Sequence, residues 1–438
     1  MSIGWVLPAA GQSASQAPAV GALGRAIRRT PVVEVFERTR DAVVNIQATQ
    51  TVERVIPFSP FDDFFFGDLG GRTQQFTTTS LGSGFVIHPD GYVVTNAHVV
   101  SHSGVKVTFA DKTEYDADRV AVDERHDLAV LKIRAQRVFP AVTLGRSDDL
   151  MIGETVIAIG NPLGYEHTVT AGIISATNRT LEVTREVSYT GLIQTDASIN
   201  RGNSGGPLLN VLGELIGINT AIRGDAQNIG FAIPVDTLRT LLPEMLSIER
   251  TRRLQVGLRL RWADRLYVAE SYGPAAAAGV RAGDELVSVN NVPMRQDVDY
   301  YIYLWRIRPK DRLTFELRRG GRHVTAVVTP ATIPNPDGAR LLREKFGLSV
   351  RPLTSQEARE LRLNAGLAIT AVEPESPADR AGLVRGLVIV QIGKFFPTDV
   401  DDVGKLLENV AAGDKVLIRV WEPRGSLIRV LEGYLVAR

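Results

Sequence analysis

The chain has 438 residues, enough for about three domains at roughly 150 residues each. Lysine plus arginine (50) and aspartate plus glutamate (49) nearly cancel, so net charge gives no argument for nucleic acid or an acidic membrane surface as a partner. There is no cysteine, which excludes disulfides, thiolate zinc sites and cysteine nucleophiles.

Residues 1–31 read as a leader or a disordered segment, small and polar from Gly11 to Val20 and basic at Arg25, Arg28 and Arg29. Ile3–Ala10 is apolar and is followed by Ser15-Gln16-Ala17, small residues where a signal peptidase acts, but a charged region before it is missing. A disordered leader and an export signal beginning upstream of Met1 both fit. No apolar run approaches the roughly 18 residues of a membrane-spanning helix.

Pro31–Ala42 has apolar residues at helical spacing, and Val43–Ile46 begins a strand. Pro57–Gly71 carries five phenylalanines (PFSPFDDFFFGDLGG); so many aromatics in a turn-rich loop are expected to pack on the domain surface or on a partner subunit. From Gly82 to Arg223 short strands alternate with turn signals at about ten-residue spacing, which predicts an all-β sandwich or a pair of barrels. Pro234–Ile248 reads as a helix interrupted near Pro243, and Glu249–Arg253 as a basic linker. Beyond it lies an internal repeat of about 103 residues. VAESYGPAAAAGVRAGDELVSVN returns as TAVEPESPADRAGLVRGLVIVQI, and each copy gives strand, short helix, strand, longer helix and strand hairpin. The expected fold is mainly β, one β domain followed by two α+β modules.

The chemistry centres on Gln194–Leu209, QTDASINRGNSGGPLL. Glycines around Ser204 let backbone N–H groups converge beside its hydroxyl, the arrangement acyl transfer needs for its oxyanion. An ordinary glycine-rich turn is the bland alternative. His98 follows the strand Tyr92-Val93-Val94 as a helical turn begins. Asp127 opens LAVLKI, and strand alternation would put it on one face with Ala129, Leu131 and Ile133. A buried carboxylate there needs a partner, and His98 can donate a ring N–H.

The chain order His98, Asp127, Ser204 is that of chymotrypsin, the worked example for this triad. The nucleophile elbow of α/β-hydrolases also matches Gly202-x-Ser204-x-Gly206, but it needs a helix after the serine and a later histidine. Here Pro207 and a β pattern follow, and His323 lies in the repeat. His98 and His102 stand four apart like a zinc pair, yet Val99 occupies the place where the zinc motif has glutamate. His126 adjoins Asp127 and points to the opposite face. His88, His102, His167 and His323 read as surface or structural residues. No metal or cofactor is expected.

With these residues in view the chain resembles the HtrA (Deg) family of trypsin-like serine proteases with C-terminal PDZ domains. The resemblance runs from about Val32 to the C-terminus. It rests on TNAHVV at His98, HDLAVLKI at Asp127, GNPLG with TVTAGIIS, DASINRGNSGGPL at Ser204, and GFAIP at 230–234. It implies a chymotrypsin-like double β-barrel protease domain over 32–248 and PDZ domains over 254–331 and 345–438.

It further implies a serine endopeptidase of the bacterial envelope or periplasm that degrades unfolded or misfolded polypeptides, assembled as a trimer or a multiple of three. His98 would be the base, Asp127 its orienting partner, Ser204 the nucleophile, and the N–H groups of Gly202 and Ser204 the oxyanion hole. Ser198 stands where trypsins have the aspartate that selects basic residues, so small or medium aliphatic P1 residues are expected, with Ile199 and Ile229 lining the pocket. Asn203 replaces the aspartate that pairs with a newly cleaved N-terminus, so zymogen clipping is not expected.

The Phe-rich loop matches the family's regulatory loop. The PDZ modules would capture peptide C-termini by strand addition, with Val256-Gly257-Leu258 and Phe346-Gly347-Leu348 as carboxylate-binding loops. The second module has Leu387 where the first has Asp284, which puts its peptide binding in question.

Overall fold

Alternating apolar residues in the first half of the chain give strands with one buried face, and such sheets hide their edges by closing on themselves. The computed structural model describes residues 20–56, 72–101, 104–161, 167–182, 188–200, 202–222, 229–393, 395–424 and 427–438. The Phe-rich loop, His102, Arg201 and the first nineteen residues lie outside this set.

Two helices, α1 (Val20–Ile27) and α2 (Pro31–Thr39), come first. Pro31 sits in the first turn of α2, where its missing N–H costs nothing. The helix expected to reach Ala42 ends at Thr39 and tightens into a 3-10 turn over Arg40–Ala42.

Strands β1 (Val43–Ile56), β2 (Arg72–His88), β3 (Tyr92–Thr95), β4 (Gly104–Thr108), β5 (Glu114–Asp123) and β6 (Leu128–Ile133) close a barrel in the order β1-β2-β3-β6-β5-β4. Val44, Ile46, Val86, Val93, Val107, Leu131 and Ile133 fill it and are all buried. Each such side chain contributes roughly 1.5–3 kcal/mol by leaving water.

The second group is β7 (Thr143–Leu144), β8 (Thr155–Gly160), β9 (Thr168–Glu182), β10 (Ser188–Thr195), β11 (Pro207–Asn210), β12 (Glu214–Ile222) and β13 (Gly230–Pro234). They run in the order β11-β8-β9-β10-β13-β12-β7, and pairing of β11 with β12 closes a second barrel. Helix α3 (Val235–Met245) follows, with Leu238 and Leu242 buried and Pro243 near its end. The stretch read as a linker, Glu249–Arg253, is helical over most of its length, as α4 (Ile248–Arg252).

After β14 (Leu254–Gln255), the first α+β module contains β15 (Leu258–Trp262), β16 (Leu266–Ser271), α5 (Gly273–Ala277), β17 (Glu285–Val289), β18 (Val292–Pro293), α6 (Asp297–Leu304), β19 (Leu313–Arg319) and β20 (Arg322–Val328). Its sheet order is β15-β16-β17-β19-β20, so β15 is an edge. β21 (Ala331–Thr332) pairs with β14.

The second module has α7 (Gly338–Phe346), β22 (Leu348–Pro352), α8 (Ser355–Glu360), β23 (Leu367–Val372), α9 (Pro377–Arg380), β24 (Val388–Ile392), α10 (Val400–Leu407), β25 (Lys415–Arg424) and β26 (Leu427–Val436), in sheet order β22-β23-β24-β25-β26. Both copies follow the element order read from the repeat. The chain divides into two compact units, one built from residues through Ile248 with Val256–Thr329, the other from Glu249–Gln255 with Pro330–Arg438. Among the described residues no helix is long and apolar enough to cross a membrane.

Candidate active site

Asp127 is buried, as the sequence indicated, but not by strand alternation. It precedes β6 in the left-handed region, at φ +53°, a conformation in which aspartate is enriched among non-glycine residues. That kink aims its carboxylate at the 3-10 turn Ala97–Val100. There the His98 ring Nδ1 lies 2.9 Å from both carboxylate oxygens, and the His98 backbone N–H donates to one of them at 3.1 Å.

Thr220, on β12, donates its hydroxyl to the other carboxylate oxygen at 2.7 Å, and Asn96 holds the Asp127 carbonyl through its side-chain amide at 3.0 Å. The His98 backbone N–H, the His98 ring and the Thr220 hydroxyl thus give the buried carboxylate the partners that a polar group out of water needs. Holding a proton on Nδ1 leaves Nε2 of the half-exposed ring as the acceptor.

The serine loop is fixed from both barrels. Ser204 Oγ donates to the Thr220 carbonyl at 3.2 Å, and the Ser204 carbonyl accepts the Ser83 N–H at 2.9 Å. Gly205, at φ +82°, has no room for a side chain, because a Cβ would lie 2.3 Å from the Ser83 carbonyl and from Thr95 Oγ1. Asn203 is used internally: its amide donates to the Ser198 carbonyl at 2.9 Å and its Oδ1 accepts the Asn200 N–H at 2.9 Å. Where the resemblance to trypsins leads one to expect an aspartate, this chain has an amide that braces its own loop.

The residues expected to set specificity separate. Ser198 is exposed, with its carbonyl also held by the Thr170 hydroxyl at 3.0 Å. Ile199 packs in the second core with Val156, Ile174 and Ala232, against Gly230. Ile229 is half-buried at the entry to β13. Thr220 and Ser83 were missed in the sequence; each is one hydroxyl in a strand, and only pairing across the fold reveals its partner.

Three of the other histidines have structural partners, and His323 is exposed. His126 pairs with Asp123 at 2.8 Å on the surface, and His167 stacks edge-on against Phe36. His88 lies between Asp90 and Asp299. Burial pushes it below its ordinary range, with Asp299 opposing and Arg306 adding to the effect. Among the described residues no group of three acidic or histidine side chains could hold a metal.

In the first module Val256-Gly257-Leu258 forms a tight loop. Gly257 sits at φ +87°, and the Val256 and Gly257 carbonyls accept the N–H groups of Ala275 and Tyr272 at 3.0 and 2.8 Å. Tyr301 of α6 reaches across to edge strand β15 and accepts the Leu260 N–H at 3.3 Å.

A trypsin-like peptidase domain matches residues 82–218, and a PDZ domain matches twice, at 267–319 and 368–422. A probable periplasmic serine endoprotease DegP-like of Chlamydia trachomatis serovar D is 35% identical, covering 91% of this chain and 85% of its own length. The protein of that name from Pseudomonas fulva is 32% identical, covering 89% of this chain and 90% of itself; that from Halomonas elongata is 33% identical, covering 88% and 90%. A solved HtrA-type protease, AlgW with a decapeptide, is 33% identical over 70% of this chain and 99% of its own, at a TM-score of 0.40. Relatives named as periplasmic along nearly their whole length put this protein in the periplasm or cell envelope. With a trypsin-like peptidase domain on two barrels and a PDZ pair behind it, the chain belongs to the HtrA (DegP-like) family of serine endoproteases.

Proposed function

We propose that Ser204 is the nucleophile, His98 Nε2 the base that takes its proton, and Asp127 the carboxylate that fixes the His98 tautomer and stabilises the imidazolium formed. The N–H groups of Gly202 and Ser204 are the oxyanion donors; losing one such donor costs on the order of 3 kcal/mol of transition-state stabilisation. His98 then returns its proton to the leaving amine, and water repeats the sequence on the acyl-enzyme.

The observation that carries this reading is the shared use of Thr220, whose hydroxyl touches Asp127 and whose carbonyl touches Ser204 Oγ. Substrates are unfolded or misfolded polypeptides. No carboxylate stands at Ser198 to pair with a basic side chain, so cleavage follows small or medium aliphatic P1 residues, with Ile199 and Ile229 at the pocket.

The protease domain spans 32–248 and the PDZ domains 254–331 and 345–438. The first PDZ domain captures peptide C-termini at Val256-Gly257-Leu258 and regulates the protease together with its loops, in a homo-oligomer of three or a multiple of three. Ser204→Ala should abolish casein degradation and fluorophosphonate labelling; undiminished cleavage would reject the nucleophile. A second reading, a peptide-binding scaffold or chaperone with a resting protease site, draws on Ser204 Oγ lying on the Thr220 carbonyl. Failure of the unmutated protein to label would favour it.

A further inference from the structure

Ser83 lies on β2, in the first barrel, and is completely buried. Its backbone N–H donates to the Ser204 carbonyl at 2.9 Å, and its carbonyl accepts the Thr95 hydroxyl at 2.7 Å. Any residue but proline could make those two bonds. Its hydroxyl does something only a hydroxyl can: it donates to the Gly202 carbonyl at 2.5 Å and accepts the Asn161 N–H, just after β8 in the second barrel, at 2.8 Å. One oxygen thus joins both barrels to the serine loop.

The peptide plane between Gly202 and Asn203 is held at both ends, its carbonyl by Ser83 Oγ and its N–H by the Asn200 carbonyl at 3.1 Å. Gly202 itself sits at φ +117°, open to residues without a side chain. A glycine resists rotation weakly, so the direction of its own N–H depends on what fixes the planes beside it. Asn203 secures the floor of the cleft at Ser198 and Asn200. Ser83 is the side chain that secures Gly202.

We infer that Ser83 is a positioning residue for acyl transfer, its hydroxyl fixing the Gly202 carbonyl so that the Gly202 N–H stays aimed at the oxyanion. The inference rests on Ser204 and Gly202 having the roles proposed above. Its consequence is selective: the bond matters where charge develops on the substrate oxygen, and little for binding the uncharged peptide.

Ser83→Ala removes the hydroxyl and leaves both backbone bonds. In the full-length protein, kcat on a peptide substrate should fall about 10- to 100-fold, less than the roughly 100- to 1,000-fold lost when an oxyanion donor is removed outright. KM should stay within about twofold, a split that marks loss of a transition-state interaction. A peptide boronate, whose tetrahedral adduct places an oxygen in the hole, should lose affinity by the same factor as kcat/KM. The melting curve should remain cooperative.

Wild-type labelling by a fluorophosphonate, read in parallel, separates the two ideas: without it the nucleophile assignment fails. With it, three results would overturn the role of Ser83. These are a kcat within about threefold of wild type, a loss shared with KM that spares the boronate, or a Ser83→Ala chain that does not fold. The last would make Ser83 a barrel fastener and nothing more.

Discussion

The two PDZ modules share one order of core elements and differ in chemistry. Each turns into its first strand through a glycine at positive φ, Gly257 (+87°) and Gly347 (+74°), whose carbonyl accepts one N–H from across the turn, Tyr272 or Glu373. Behind that shared turn they diverge. The first buries Asp284 against the Arg319 guanidinium and the Arg281 N–H. Burial alone would raise that carboxyl, and these partners outweigh it and hold it below the ordinary range. The second places Leu387 there, buried in an apolar core, with Glu422 where the first has Arg319. Asp284 therefore holds its own module together through an ion pair, where the second module relies on apolar packing at Leu387.

The edges differ too. In the first module Tyr301 occupies the Leu260 N–H of β15, an amide that strand addition would use. The helix carrying it is tied to the barrels: Asp297 pairs with Arg239 of α3 at 2.7 Å, the Arg239 guanidinium lies 4.2 Å from the Trp262 ring centre, and the Trp305 indole donates to the Leu246 carbonyl at 3.0 Å. In the second module Gly347 closes α7, and its N–H is spent on the Arg343 carbonyl at 2.9 Å. Duplication kept the turn and rewired its surroundings.

Exchanging the buried residues should produce the largest effect. Leu387→Asp buries a carboxylate with no guanidinium opposite and should cost about 4 kcal/mol by urea unfolding, whereas Asp284→Leu, stranding a partly exposed Arg319, should cost about 2. Adding Arg319→Leu to Asp284→Leu should recover most of that loss. Equal costs for the two exchanges would show that the cores are interchangeable.

A smaller effect is expected at Tyr301. Burial pushes its hydroxyl up to about 12, so it stays protonated near neutrality. Tyr301→Phe unpairs the Leu260 N–H, costs about 1 kcal/mol, and should raise the affinity of a C-terminal decapeptide roughly fivefold by fluorescence anisotropy. An unchanged affinity would mean that peptide does not use that amide.

The smallest concerns His88, which faces Asp90, Asp299 and Arg306 where α6 meets the barrels. Its folded value is depressed, so the unfolded chain takes up a proton first. The stability it contributes is present above the unfolded value, near 6.5, and is lost as pH falls through the folded value. His88→Asn should flatten the fall in melting temperature between about pH 7 and 5 in the unit that holds the first module. An identical slope would put the acid sensitivity elsewhere.

How much of this was legible in the sequence follows from how local each signal is. His98, Asp127 and Ser204 sit in contiguous motifs, and the repeat shows itself by register. Asp127 was placed in the interior by strand alternation, yet it is its left-handed kink before β6 that buries it. Thr220, Ser83 and the use made of Asn203 were not legible, because each depends on one polar atom meeting a backbone group brought near by barrel closure. Charge composition marked Glu249–Arg253 as a linker without showing that most of it is helical.

The left-handed backbone at Asp127 also narrows what mutation can leave there. Glycine, asparagine and aspartate accept that conformation with least strain, and aspartate alone among them is an anion. Substitution at this position is therefore least strained as asparagine or glycine, either of which keeps the turn and removes the carboxylate that meets His98 and Thr220.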